Sequence, residues 1–94
     1  MQIDRVIWLD TVVEKIAEKH SVSPEEVEEV LRNAPRFRRG PKGKRLGEDL
    51  YYAFAQTDEG RYLFIVFIFK GRRRALVLSA RDMENDERRW FQEK

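Results

Sequence analysis

A chain of 94 residues with 41% hydrophobic side chains and a net charge of +2 is long enough for one modest core and too apolar to stay unfolded. It has no cysteine, which excludes a disulfide framework and a thiolate metal site and makes a reducing cytoplasm the expected location. The N-terminal MQIDRVIWLD lacks the order of a signal peptide, and the longest apolar run, YLFIVFIF, falls well short of the roughly twenty residues that a membrane-spanning helix needs, so no membrane is expected.

The run IDRVIW predicts a short strand. Val12, Val13, Ile16 and Ala17 then recur at helical spacing and predict a first helix ending near His20. SVSPEE places Ser23 as N-cap, Pro24 at the first helical position and Glu26 at the third, the strongest local signal in the chain. The second helix buries Val27, Val30 and Leu31 and stops before Pro35. RFRRGPKGKRLGED reads as a loop, with a short strand at Arg36 to Arg38 at its start. A meander follows: LYYAFAQ, a turn at TDEG, the run RYLFIVFIFK as a central strand, a turn at KGR, and RALVLSA. Asp82 is placed to cap a last helix running to about Gln92 and burying Met83 and Trp90. The expected fold is α+β, in the order β-α-α-(β)-β-β-β-α, with helices on an antiparallel sheet and residues 1–94 forming one domain.

Charge is unevenly placed. Residues 1–31 carry three basic and eight acidic side chains, residues 32–45 seven basic and none acidic, and residues 46–94 nine of each. The basic stretch, Arg32, Arg36, Arg38, Arg39, Lys42, Lys44 and Arg45, is either a solvated loop or a contact for a polyanion that offsets its self-repulsion. GPKGK lacks the spacing and the Ser or Thr of a P-loop. Strict alternation along the last strand puts Ala75, Val77, Ser79 and Arg81 on one face and Leu76, Leu78 and Ala80 on the other. Arg81 at that strand's end is a fork suited to phosphate, or else the partner of Asp82, Asp86 or a glutamate of the first helix. His20, the only histidine, either complements the end of its helix or serves as an acid-base group near neutrality. One of Tyr51 and Tyr52 must point away from the core, where it could stack a base or donate a proton.

Three stretches in this order, KHSVSPEEVEEVL after a Trp-led segment, the turn GED opening the meander, and LVLSARDMENDERRWF, resemble the BrnT toxins of type II toxin-antitoxin systems, within the RelE/ParE-like ribonuclease superfamily. The resemblance runs from Trp8 to Phe91. Against the family pattern, Leu9 follows the Trp, Val12 stands in place of a lysine, Leu50 in place of an arginine and Ser21 in place of a glycine. It implies an endoribonuclease needing neither metal nor other cofactor, halting translation and growth, and neutralised by a ribbon-helix-helix, BrnA-like antitoxin that docks on the acidic helices. In that reading Arg81 stabilises the phosphate with Arg61 or Arg88 in support, His20 with Lys19 handles protons, and Arg36, Arg38, Arg39, Lys42, Lys44, Arg45, Arg72, Arg73 and Arg74 hold the RNA backbone. The rival expectations are a non-catalytic RNA-binding module of the same fold and a ParE-like toxin acting on a protein target.

Overall fold

The computed structural model describes residues 1–41 and 49–93. Lys42, Lys44 and Arg45 of the basic stretch lie outside the described residues. The elements follow the expected order: β1 (Arg5–Ile7), α1 (Asp10–His20), α2 (Pro24–Arg32), β2 (Arg36–Arg39), β3 (Asp49–Gln56), β4 (Tyr62–Lys70), β5 (Arg74–Asp82) and α3 (Asn85–Gln92).

The strands form one sheet in the order β1-β5-β4-β3-β2, antiparallel except that β1 runs parallel to β5. The run YLFIVFIF lacks polar alternation because β4 lies in the middle, paired on both sides. One face of the sheet carries Ala53, Ala55, Leu63, Ile65, Phe67, Ala75, Val77 and Ala80, packed against Val12 and Ile16 of α1 and Val27, Val30 and Leu31 of α2. Ile16, Val27, Val30, Leu63, Ile65, Phe67 and Val77 are wholly buried, each contributing about 1.5–3 kcal/mol of burial free energy.

Both local stops between α1 and α2 are chemically explicit. Ser21 turns into the left-handed region at φ 53°, and the N–H groups of Ser21 and Val22 donate back to the carbonyls of Ala17 and Ile16, closing α1. Ser23 and Glu26 then form a reciprocal capping box at the start of α2, with Pro24 inside its first turn.

Two expectations are corrected. Alternation along β5 breaks at a bulge: Phe67 pairs with Val77 and Val66 with Ser79, so Leu78 is an extra residue. Ala80 therefore joins Ala75 and Val77 on the core face, while Ser79 and Arg81 turn to the other face with Leu76. The Lys15 ammonium donates to the Leu78 carbonyl at 2.7 Å, satisfying an acceptor at the irregularity. Second, Asp82 does not cap α3. It is the last residue of β5 and is held by Arg61, so the cap passes to Glu84, whose capping box with Glu87 starts the helix.

Candidate nucleic-acid interface

The strand registers bring residues into rows on the sheet face turned away from α1 and α2. One row reads Arg36, Phe54, Phe64, Arg81 across β2, β3, β4 and β5. The next reads Arg38, Tyr52, Val66, Ser79. Arginines thus bracket aromatics on one face; Phe54 is buried, and the half-buried Tyr52 and Phe64 are the rings left to meet a single-stranded polyanion with stackable bases.

α3 lies along the first row and is fastened at both ends. Arg81 grips Glu87 with both terminal nitrogens, at 2.8 and 3.0 Å, and its guanidinium sits 4.2 Å from the centre of the Phe64 ring. At the other end Arg36 donates to the carbonyls of Trp90, Phe91 and Glu93, placing its charge at the negative end of the helix. Between them Trp90 packs edge-on against Phe54 at 4.8 Å, with Arg36 over its ring at 3.9 Å. The Arg81 hydrogen bonds hold the Glu87 carboxyl below its usual range, outweighing the opposing effect of burial.

The second row lies beside the helix. The Arg38 guanidinium, on an exposed residue, approaches the Trp90 ring at 5.1 Å. Tyr52 is half-buried against Phe64, ring centres 5.1 Å apart. The choice between the tyrosines is settled by register. Tyr51 is on the core side, stacked on Phe67 with Arg39 donating to its hydroxyl, whereas Tyr52 shares the open face with Arg81.

A second cluster sits at the end of β4 and β5. Arg61 donates to six acceptor atoms: both Asp82 carboxylate oxygens, both Glu26 carboxylate oxygens, and the backbone carbonyls of His20 and Ser21. All its nitrogens are engaged, so it ties the α1–α2 corner to the end of β5. Its hydrogen bonds pull Asp82 below the usual carboxylate range, with burial opposing and the His20 charge adding a smaller push in the same direction. At Glu26 burial pushes upward, yet the hydrogen bonds from Ser23 and Arg61 carry the carboxyl below its ordinary value. Arg88 stacks on Tyr62 at 4.3 Å and lines a shallow depression with Arg61, Tyr62, Asp82 and Met83.

The sequence-predicted residues therefore divide. Arg36, Arg38 and Arg81 share the open face. His20, Arg61 and Arg88 gather at the end of the sheet, with Lys19 exposed on the last turn of α1. Arg39 pairs with Asp49 at 2.7 Å on the core-side edge. Arg72, Arg73 and Arg74 stand at the β4–β5 turn, about 20–25 Å along β5 from Arg81. Arg73 is paired with Asp4 at 2.9 Å, and the Arg74 Nε donates to the Gly71 carbonyl. Four neighbours had no place in the site expected from sequence: Ser79, which alternation already put on the face of Arg81 but gave no role, and Asp82, Glu87 and Trp90, whose roles emerge only from contacts between elements.

A family model described as "Ribonuclease toxin, BrnT, of type II toxin-antitoxin system" matches residues 8–87. A comparison with curated proteins finds no match. No helix among the described residues is long and apolar enough to cross a membrane. The matched stretch runs from Trp8, just after the first strand, to Glu87 in the grip of Arg81, taking in Arg36, Arg38, Arg61 and Arg81 but stopping short of Arg88 and Trp90, and the chain belongs to the BrnT family of type II toxin-antitoxin ribonuclease toxins.

Proposed function

We propose that this chain, acting as one toxin domain in the cytoplasm, is an endoribonuclease that cuts RNA without a metal, stops translation and growth, and is neutralised by a ribbon-helix-helix antitoxin of the BrnA kind. The observation that carries the reading is the pair of arginine-aromatic rows on one sheet face, Arg36-Phe54-Phe64-Arg81 and Arg38-Tyr52-Val66-Ser79.

Cleavage at a phosphodiester through its own 2'-hydroxyl needs a base for that proton, cations for charge developing on phosphorus oxygens, and a proton for the departing 5'-oxygen. Arg81 supplies the fork of donors at the phosphate by exchanging Glu87 for it, since a bidentate carboxylate and a phosphate make the same demand on a guanidinium. Arg88 adds charge from α3. Arg61, already saturated, works by holding the corner that carries His20 and Lys19, the groups assigned to proton transfer at the end of β5. Arg38 and Arg36 steer the backbone, with Lys42, Lys44 and Arg45 continuing the basic stretch.

The engagement of Arg81 by Glu87 and of Arg61 by six acceptor atoms favours one rival, an RNA-binding module of the same fold without catalysis. Inducible expression in bacteria separates them, with growth and RNA integrity followed for wild type, Arg81→Ala and His20→Ala. Growth arrest with fragmented RNA, abolished by Arg81→Ala, supports the enzyme. Arrest with intact RNA points to the binding module or to a protein target. Loss of cutting only with Arg81→Ala removes the role given to His20.

A further inference from the structure

The far end of the open face carries a third row that the assignment above leaves unused. Lys70 pairs with Arg74, and Arg74 pairs with Arg5, so three cations stand directly opposite one another across β4, β5 and β1. Their neighbours in the chain, Phe69, Ala75 and Val6, belong to the core face or pack against it, which places the three on the same face as Arg81. Adjacent strands lie about 4.8 Å apart, and like charges directly opposite on one face destabilise a sheet. Among the described residues no carboxylate forms an ion pair with any of the three. Arg73, in the same turn, has Asp4, and Arg39, at the sheet's other edge, has Asp49. Among the described residues this row sets three cations opposite one another on neighbouring strands with no carboxylate between them, at the end of a face whose other end holds Arg81.

We propose that Arg5, Lys70 and Arg74 form a distal phosphate-binding row for single-stranded RNA, several nucleotides along the strand from the phosphate held by Arg81. The proposal rests on the ribonuclease reading for its choice of RNA. Between the two basic ends the half-buried Tyr52, Val66, Ser79, Leu50 and Leu76 surround the buried Ile68, a largely apolar floor that has no carboxylate among these residues and against whose exposed parts bases can lie while the backbone spans from one cationic end to the other. A phosphate among three cations about 5 Å apart relieves their mutual repulsion, so binding gains what folding alone forgoes.

The test uses the whole chain and an uncleavable 2'-O-methyl single strand, with binding followed by fluorescence anisotropy against salt concentration. The variant carries Arg5→Gln, Lys70→Gln and Arg74→Gln together. Expected results are a loss of about tenfold or more in affinity for a ten-nucleotide strand at low salt, with the slope of log K against log salt shallower by about 2, three lost contacts at roughly 0.7 each. A trinucleotide, too short to reach from Arg81, should lose nothing. The variant's thermal midpoint should stay level or rise, because like charges have been removed. An unchanged slope with the long strand, or a variant that melts well below wild type, overturns the proposal, since a structural role predicts the second. Wild type that cuts RNA while the triple variant binds as tightly sinks the row and spares the ribonuclease reading. Wild type that binds the long strand with the expected slope difference yet never cuts RNA does the reverse.

Discussion

Arg81 and Glu87 form a two-pronged ion pair across the junction of β5 and α3, and the same carboxylate oxygen that accepts from Arg81 also accepts the Glu84 backbone N–H at 2.8 Å. One glutamate thus starts a helix and occupies the fork proposed to hold phosphate. Glu87→Gln keeps the capping geometry while weakening the hold on Arg81. It should cost about 1–2 kcal/mol of stability in urea unfolding and, at the same time, tighten binding of an uncleavable RNA strand. Weaker RNA binding by this variant would show that Glu87 does not compete with the ligand.

Glu87, Asp82 and Glu26 all have carboxyl groups held below their ordinary range, by Arg81 in the first case and mainly by Arg61 in the second; at Glu26 the bonds from Ser23 and Arg61 overcome burial. A carboxyl depressed in the folded state adds stability above its unfolded pKa, and that stability is lost as pH falls through the folded value. Thermal midpoints should therefore be flat near neutrality and fall below about pH 4. Arg61→Gln, which removes the partner of Asp82 and one partner of Glu26, should lower stability by about 2–4 kcal/mol at pH 7 and much less at pH 3. An equal loss at both pH values would mean that Arg61 acts through packing and backbone contacts alone.

Tyr52 on the open face and Tyr51 on the core face give a matched pair of controls. Tyr52→Ala should weaken binding of a single strand by about tenfold without altering its salt slope, the mark of a stacked base, while Tyr52→Phe stays close to wild type. Tyr51→Phe loses only the Arg39 hydrogen bond and should leave RNA binding unchanged. A shallower salt slope in Tyr52→Ala would point instead to displaced cations.

Ser21 closes α1 at φ 53°, a conformation that favours glycine. Ser21→Gly should stabilise the protein by about 0.5–1 kcal/mol, read as a higher urea midpoint at constant m-value. No gain would show that the contact of Arg61 with the Ser21 carbonyl already absorbs the strain.

Element order, the capping box at Ser23 and the central place of β4 were legible because each rests on local spacing or on an unbroken apolar run. The candidate site was legible only in part. Arg36, Arg38 and Arg81 could be named as cations, but their shared face depends on strand register, which no short window contains. Arg61 resembles any surface arginine until the α1–α2 corner folds beside it. Asp82 has the chemistry of a helix cap, and it is the long-range partner, Arg61, that diverts it. The grip of Arg81 on Glu87 corrects the expected partners Asp82, Asp86 or a first-helix glutamate, because the turn into α3 brings round a carboxylate six residues on that spacing along the strand passes over.

The extra residue at Leu78 decides which of two neighbouring opposite charges looks outward. A homologue of the same length whose strand ran without the irregularity would turn an aspartate toward its ligand and press an arginine against the helices, whereas one lacking Leu78 would keep both facings on a regular strand. A one-residue gap at Leu78 is therefore neutral for the arginine, and the informative change is a strand of unchanged length that has lost the irregularity, where the same letter becomes an internal counter-ion.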